Sequence, residues 1–463
     1  MVLRQALKDF YAVLRRRVWA VRVIVLGFMG AILVGTILLM LPQSTVGERL
    51  GLVDALFTST SGVCVTGLTV INVGSELSPF GQGVLLFLIQ AGGLGIMTLS
   101  TFFTIVLGRR LSIADRDIIS SSFSPGAVPD VRSLVKSVVL LTVCLELVGG
   151  TLLFFRFVRD YAPSEAAYRA IFHSVSAFCN AGFSLNRGSF VGFQGEAYVN
   201  LVMISLIILG GIGFVVLIEL NNRLVLRRSK AAGLSLHTRL VLVTSLCLVL
   251  GGWFLFEIFE WGNSLSGKPF SHKILAGLFQ SVTPRTAGFN TVDIGALSNP
   301  TLLLLMVLMF IGAAPASTGG GIKVTTFGVM VGLALSRFKG SDDVNMFSRR
   351  VRGEVVRRAL AIFTAALLVL VLFTMLILIA QFGFASLSQT EGGFLRTLFE
   401  VTSAFGTVGL STGITPELTT VARILVTILM LIGRIGSLCI AVAIAAGEPK
   451  IRFRYAEETL MVG

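Results

Sequence analysis

Charged residues are scarce in this chain. Asp, Glu, Lys and Arg make up only 13 % of its 463 residues, about half the share found in soluble domains, while 54 % are hydrophobic. A soluble protein of this composition would lack the polar side chains needed to cover its apolar core. The scarcity therefore excludes a cytosolic enzyme, a secreted module and a disordered chain, and leaves a polytopic membrane protein.

Metal-binding and catalytic patterns are missing from the sequence as well. The five cysteines lie far apart without a CxxC pair, and the three histidines are scattered, so neither a disulfide framework nor a metal cluster is indicated. There is no HExxH and no pair of carboxylates within an apolar segment, which argues against an intramembrane hydrolase or transferase. No GxGxxG opens a soluble βαβ unit, so the sequence indicates no dinucleotide-binding domain. We expect no enzyme activity and no organic cofactor.

Apolar segments of about 20 residues, the length that crosses a bilayer, occur eight times. They lie near 22–42, 80–107, 134–158, 198–222, 238–259, 301–336, 358–382 and 420–446. Between the members of each successive pair lies a shorter stretch rich in Ser, Thr and Gly, which is typical of a re-entrant segment. The sequence thus predicts an all-α protein with eight spanning helices and four re-entrant helices.

The basic residues predict the orientation in the membrane. Of the 38 Lys and Arg residues, 26 lie in the N-terminus, the C-terminus and the three connections between successive pairs. Because positively charged loops remain in the cytoplasm, we expect a multi-pass protein of the cytoplasmic membrane with both termini in the cytoplasm. The re-entrant segments then enter from outside, and the formal net charge of +14 reflects this orientation.

The four short stretches resemble one another. Each contains a Phe, a hydroxyl-rich turn and then a Gly, ten residues after the Phe in three stretches and nine in the third. The pairs are Phe57 and Gly67, Phe172 and Gly182, Phe279 and Gly288, and Phe399 and Gly409. This recurrence indicates an internal repeat. The predicted units are an N-terminal segment 1–21, repeats at 22–110, 111–230, 231–345 and 346–447, and a C-terminal tail 448–463.

The repeats predict a central pore. Two crossings return the chain to the same side, so successive repeats are parallel and can surround one axis along the membrane normal, unlike the inverted repeats of many transporters. Four loops at that axis can replace the water of a cation with backbone carbonyls, and Gly permits the backbone conformations that this requires. The short helices would point their partially negative C-terminal ends at the ion.

These features resemble the Ktr/Trk/HKT superfamily of potassium transporters, and the KtrB-type pore subunit in particular. The resemblance is carried by four motifs and by the stretch Thr283 to Thr291; the motifs are Val65-Thr66-Gly67-Leu68, Asn180-Ala181-Gly182-Phe183, Thr286-Ala287-Gly288-Phe289 and Thr407-Val408-Gly409-Leu410. It implies four M1-P-M2 units, similar to potassium-channel protomers, whose loops form a selectivity filter. The implied filter residues are Val65, Thr66, Gly67, Asn180, Ala181, Gly182, Thr286, Ala287, Gly288, Thr407, Val408 and Gly409. Gly in all four loops is similar to the potassium-selective branch.

The sixth apolar segment is interrupted from Gly312 to Gly321, a position expected just on the cytoplasmic side of the filter. Pro315 removes a backbone donor and Gly319 to Gly321 disfavour a helix, so this segment should unwind, and only in the third repeat. The interruption is either a packing kink or a mobile loop beneath the filter, and the resemblance implies an intramembrane gate. The implied gate residues are Gly312, Ala314, Pro315, Ala316, Ser317, Thr318, Gly319, Gly320, Gly321, Lys323 and Arg434. Lys323 is expected to tether the broken helix.

Charged and polar residues within the apolar pattern suggest further roles. Arg434 is either part of the barrier or an anchor to loop carbonyls, since a charge inside a span usually marks function. Arg285 should point away from the ions and brace the third loop, and Glu146 is expected to make a structural polar contact. The residues after each repeated Phe are expected to support the filter from behind; these are Thr58, His173, Gln280 and Glu400.

The leading hypothesis is potassium uptake, either passive or linked to sodium. An alternating-access cation symporter and a less selective sodium/potassium pathway are the alternatives. The resemblance implies a homodimer in the lipid bilayer and a separate cytosolic ring of KtrA/TrkA-like nucleotide-binding regulatory subunits, with 337–358 as the expected coupling surface. Potassium, with sodium as a second candidate, is the expected ion, and no nucleic acid is expected as a partner.

Overall fold

The computed structural model describes residues 22–95, 131–225 and 233–446. The predicted segments 1–21 and 448–463 lie outside these residues, as do the repeat boundaries near 110 and 230. Among the described residues, regular structure is almost entirely helical, apart from one hairpin of strands Asn345–Met346 (β1) and Arg349–Arg350 (β2). The helical fold class agrees with the sequence prediction.

The helices recur four times in the same order: a long helix, a short helix and then another helix, called here the third helix. The long helices are α1 (Arg22–Leu39), α4 (Val131–Phe157), α8 (Leu236–Glu260) and α12 (Gly353–Phe382). The short helices that follow them are α2 (Leu52–Val63), α5 (Pro163–Phe178), α9 (Phe270–Val282) and α13 (Gly393–Gly406). The third helices are α3 (Pro79–Leu94), α6 (Ala197–Gly211) continued by α7 (Phe214–Leu220), α10 (Asn299–Phe310) continued by α11 (Val324–Phe338), and α14 (Thr420–Ala446).

Several of these helices can cross a membrane. By length and composition, α1, α8, α12 and the part of α4 from Val135 qualify singly. Helix α6 and the segment Phe214–Arg223 qualify as a pair bent by 104°. Because α3, α10 and α11 are shorter apolar helices, the count of eight full spans stays a prediction.

The expectation that only the third repeat is broken is wrong. The apolar segment 198–222 also breaks, because α6 ends at Gly211 and the chain turns at Gly213, where φ is 94°. Glycine takes such a left-handed conformation without a steric penalty. The break between α10 and α11, from Ile311 to Lys323, is the one that the sequence predicted.

The short helices lie in the interior, surrounded by the longer ones. The repeated residues Phe57, Phe172, Phe279 and Phe399 are all fully buried. In α2, every residue from Phe57 to Val63 is buried. The long helices instead leave apolar side chains exposed. In α12, only 22 % of the most apolar stretch of the helix is buried inside the protein. Such an apolar surface suits a lipid environment. Because the short helices are buried, the loops that follow them lie at the centre of the molecule.

Candidate functional site

The four predicted filter glycines form a closed ring. A Cβ added to any of them would lie within 3.0 Å of a backbone oxygen of the next loop, a distance that real Cβ atoms essentially never show. The pairs are Gly67 and Ala181, Gly182 and Ala287, Gly288 and Val408, and Gly409 and Thr66. Each loop therefore contacts the next one in chain order, and the fourth loop contacts the first.

The backbone of each loop alternates in handedness. The ring glycines have φ values of 91°, 72°, 78° and 94°. Two residues earlier, a non-glycine residue also has positive φ: Val65 (57°), Asn180 (58°), Thr286 (76°) and Thr407 (49°). Left-handed residues alternating with ordinary ones direct successive carbonyls to the same side of the chain. Since a β-branched residue with positive φ costs about 1–3 kcal/mol, the contacts around the ring must enforce this conformation.

A buried hydroxyl supports each loop from behind. Ser61 and Ser403 accept the backbone N–H of Gly67 and Gly409, at 3.0 and 3.1 Å. The two other hydroxyls donate to a carbonyl just after the glycine: Ser176 to Phe183 at 2.8 Å and Thr283 to Phe289 at 2.6 Å. No role for these four hydroxyls was predicted from the sequence, although each lies five or six positions before its ring glycine within the hydroxyl-rich turn.

Three of the four residues after the repeated Phe hold the chain where it leaves the ring, as expected. His173 accepts the N–H of Leu185 through Nε2 at 3.2 Å. The amide of Gln280 is 3.5 Å from the hydroxyl of Thr291, and the Glu400 carboxylate accepts a hydrogen bond from Thr415. The fourth, the hydroxyl of Thr58, has no hydrogen-bond partner within the described ranges.

On one side of the ring lies an open depression of about 490 Å³ that all four glycines line. Its carboxylate is Glu76, which accepts the N–H of Asn72 at 2.8 Å. On the part of the chain that the structure describes, no cluster of three or more His, Cys, Asp or Glu side chains could hold a metal ion. The groups that lie against the four ring glycines are backbone oxygens.

On the opposite side, the segment 312–321 lies directly against the ring. A Cβ on Gly319 or Gly320 would lie within 3.0 Å of the side-chain hydroxyl of Thr286 or Thr407, respectively. The segment is not helical, and a bridge between Ile311 and Ile322 closes its base. The predicted unwinding below the third loop is confirmed, and glycine is needed at both positions because the backbone passes so close.

Backbone contacts attach this segment to the bend between α6 and α7. Ala314 N–H donates to the carbonyl of Gly211 at 3.0 Å, and Phe214 N–H donates to the carbonyl of Ala316 at 2.8 Å.

A side chain also holds this segment. The ammonium of Lys323 donates to the carbonyl of Gly319 at 3.0 Å, so Lys323 tethers the segment as predicted.

Arg434 reaches the same segment from α14. Its guanidinium donates to the carbonyls of Thr318 and of Gly92 in α3, so it anchors the segment to the first unit of the chain. This is one of the two roles that the sequence left open for Arg434.

Arg434 follows a glycine whose packing is repeated in two other third helices. Just before it, Gly433 packs under the carbonyl of Phe405, and two other third helices make the same contact, through Gly92 to Val63 and Gly210 to Phe178. The residues that follow these glycines are Gly93, Gly211 and Arg434, of which only Arg434 has a long side chain. This difference is visible in the sequence, where the corresponding motifs are GGLG at 92–95, GGIG at 210–213 and GRIG at 433–436.

Comparison with known proteins identifies the family. A family model described as TrkH, a cation transport protein, matches residues 28–453. The chain belongs to the TrkH family. Among its relatives, Ktr system potassium uptake protein B of Bacillus subtilis is 38 % identical over 445 residues, with 96 % of each chain covered. Potassium/sodium uptake protein NtpJ of Enterococcus hirae is 35 % identical, covering 97 % of this chain and 98 % of NtpJ.

A solved structure shows the same fold. The potassium transporter TrkH from Vibrio parahaemolyticus matches with a TM-score of 0.70 at 20 % identity, covering 94 % of this chain and 85 % of that one. The family resemblance inferred from the sequence motifs is thus confirmed. This TrkH-family chain is a membrane transport protein and not an enzyme, as predicted.

Two further buried charges in this TrkH-family chain are placed as expected. Arg285 donates to the hydroxyl of Ser245 in α8 at 2.8 Å and so points from the third loop toward a long helix. Glu146 accepts a hydrogen bond from Gln90 at 3.2 Å, joining α4 to α3. Both are structural contacts outside the ring.

Proposed function

We propose that this chain is the membrane pore subunit of a Ktr/Trk-type system that takes up potassium ions. The observation that carries the proposal is the closed ring of four glycine loops with alternating backbone handedness. Such a ring can surround a dehydrated cation with carbonyl oxygens. The short helices end just before the loops, so their partially negative ends favour a cation over an anion.

The proposal extends to the architecture. The long, short and third helices would form four parallel M1-P-M2 units, with eight spanning helices and four re-entrant ones. The filter would consist of the twelve loop residues named from the sequence. An alternating-access symporter is less well supported, since the four loops meet at one place in chain order.

The segment 312–321 would act as the gate. With Gly319 and Gly320 packed against Thr286 and Thr407, an ion leaving the ring meets protein backbone instead of water. Lys323 and Arg434 would hold this barrier closed through the carbonyls of Gly319 and Thr318. Both cations also repel an approaching potassium ion.

Sodium enters as a second candidate ion. A relative covering nearly the whole chain is described as a potassium/sodium uptake protein, which favours either sodium-linked uptake or a less selective pathway as the alternative. We further propose a multi-pass location in the cytoplasmic membrane with both termini inside, a homodimer, and a separate KtrA/TrkA-like ring of nucleotide-binding subunits.

Replacing a ring glycine tests the filter. Gly288→Ser should lower the preference for potassium over sodium by about tenfold or more, since a Cβ at this site must displace the carbonyl of Val408 and a displacement cost of about 1.4 kcal/mol already gives tenfold. Uptake of potassium and of sodium into proteoliposomes, each with and without the other ion, provides the measurement. Gly83→Ser is the matched control, because nothing lies within 4 Å of a Cβ there.

Gly67→Ser is a second ring variant, which keeps the test decisive if Gly288→Ser does not fold. Selectivity unchanged in both ring variants, with normal folding, would rule out the filter assignment. Potassium uptake that stops when sodium is omitted would support the sodium-linked alternative over passive flow.

A further inference from the structure

The open depression on one side of the glycine ring carries one charged side chain among the described residues that line it. That residue is Glu76, and the other side chains of the lining are apolar, hydroxyl or amide groups. The polar ones come from all four units, as Asn72, Ser184, Asn290 and Ser411 illustrate. The volume of about 490 Å³ has room for an ion together with its hydration water, since each water occupies about 30 Å³.

Local contacts fix Glu76 at the depression. It ends the short helical turn Val73–Glu76, and its carboxylate accepts the N–H of Asn72 at 2.8 Å. The side chain of Asn72 in turn accepts the N–H of Gly74 at 3.2 Å. A Cβ on Gly74 would lie within 3.0 Å of the carbonyl oxygen of Leu185, so the turn packs directly against the second unit. The carboxylate is therefore held beside the ring by backbone on both sides.

The charge of Glu76 is not neutralised within the part of the chain that the structure describes. Its carboxylate is exposed and receives a backbone hydrogen bond but no ion pair. Arg169 reaches the lining residue Asn186 at 3.1 Å, but it is already paired with Glu165 at 2.8 Å. Arg187 follows Asn186 in the chain, is exposed and does not line the depression. The lining thus carries one uncompensated negative charge.

We propose that the depression is an external binding site for a hydrated monovalent cation and that Glu76 supplies its charge. A cleft lined by charge of one sign raises the local concentration of ions of the opposite sign, here next to the ring that receives them. Since Glu76 is exposed, its field acts through water and is screened by salt. The inference rests on the proposed function, which makes this depression the outer entrance of the pore.

Initial rates of potassium uptake at low ionic strength test the proposal, in a bacterial strain that lacks its own potassium uptake and expresses the full chain. Glu76→Gln keeps an acceptor for the N–H of Asn72 but removes the charge. It should raise the KM for potassium about threefold and leave the maximal rate and the preference for potassium over sodium unchanged. Glu76→Asp retains the charge and should keep KM near the normal value. The control is Glu391→Gln, which changes an exposed carboxylate that does not line the depression.

Added salt separates an electrostatic effect from a structural one. At an ionic strength of about 0.15 M, where the Debye length is about 8 Å, the difference in KM between Glu76→Gln and the unmodified chain should shrink. Equal KM values at low ionic strength would overturn the role of Glu76. A KM in Glu76→Asp as high as in Glu76→Gln would assign the effect to the hydrogen bond and overturn it as well. If the unmodified chain took up no potassium, the proposed function would fail and this inference with it.

Discussion

At the scale of single residues, the ring depends on left-handed backbone at four glycines and at the residue two positions before each of them. Four glycines at similar distances from a buried Phe stand out in the sequence. Positive φ at Val65 and Thr407 has no comparable signal, because β-branched residues normally avoid this conformation. Only the contacts between loops that are distant in the sequence impose it, and these appear once the ring is closed.

Arg434 gives a prediction at this scale. Arg434→Met removes both hydrogen bonds that tie the segment 312–321 to α14 and α3. Hydrogen bonds to a charged group contribute about 1.5–3 kcal/mol each, so the closed arrangement should weaken and potassium flux into proteoliposomes should rise about tenfold or more. Flux is compared at equal amounts of folded protein.

The control for this variant is Arg337→Met, which removes an exposed arginine of α11 that pairs with Asp342 in the following turn. Its flux should equal that of the unmodified chain. A folded Arg434→Met protein with flux at or below the normal value would mean that Arg434 does not hold a barrier closed.

At the scale of helices, the sequence predicted one break and missed another. Pro315 and the following glycines mark the break between α10 and α11 clearly. The bend at Gly213 depends instead on a bond from Phe214 N–H to the carbonyl of Ala316, about 100 residues further along the chain. A short glycine motif cannot reveal such a contact, because the similar motif GRIG at 433–436 stays within the continuous helix α14.

The hairpin of β1 and β2 is an element that the sequence treated only as a basic loop. Its apolar residues fix it to the protein: Val344 is buried, and Met346 packs against Gly332 of α11. The arginines are left exposed, namely Arg349, Arg350 and Arg352. The hairpin thus presents a basic surface on a two-stranded support, which suits the proposed contact with a cytosolic subunit.

Replacing these three arginines by Ala should abolish co-purification of a KtrA-like regulatory subunit with the chain. Each basic group at such an interface contributes to steering and register, so the triple variant should lose about tenfold or more in affinity. The control is the triple replacement of Arg49, Arg159 and Arg187, exposed residues expected on the opposite face. Unchanged co-purification with the hairpin variant would place the contact elsewhere.

At the scale of the whole molecule, the fourth unit closes onto the first. Gly409 packs against Thr66, and Arg434 reaches Gly92. A parallel arrangement of the units stays a prediction from the sequence, which rests on two crossings per unit returning the chain to the same side. The particular contacts that join the fourth unit to the first could not be predicted, since the residues involved are separated by more than 300 positions and share no local pattern.

The ion pair between Asp54 of α2 and Arg423 of α14 tests this closure. Arg423 Nη1 lies 2.6 Å from Asp54 Oδ1, and both side chains are partly buried, at 23 % and 30 % exposure. Thermal unfolding in detergent of Asp54→Asn, Arg423→Gln and the double variant should give a coupling of about 0.5–1 kcal/mol, as for partly screened pairs. The same cycle between Asp54 and the exposed Arg49 should give no coupling. If Asp54 and Arg423 also failed to couple, the first and fourth units would not meet in this way.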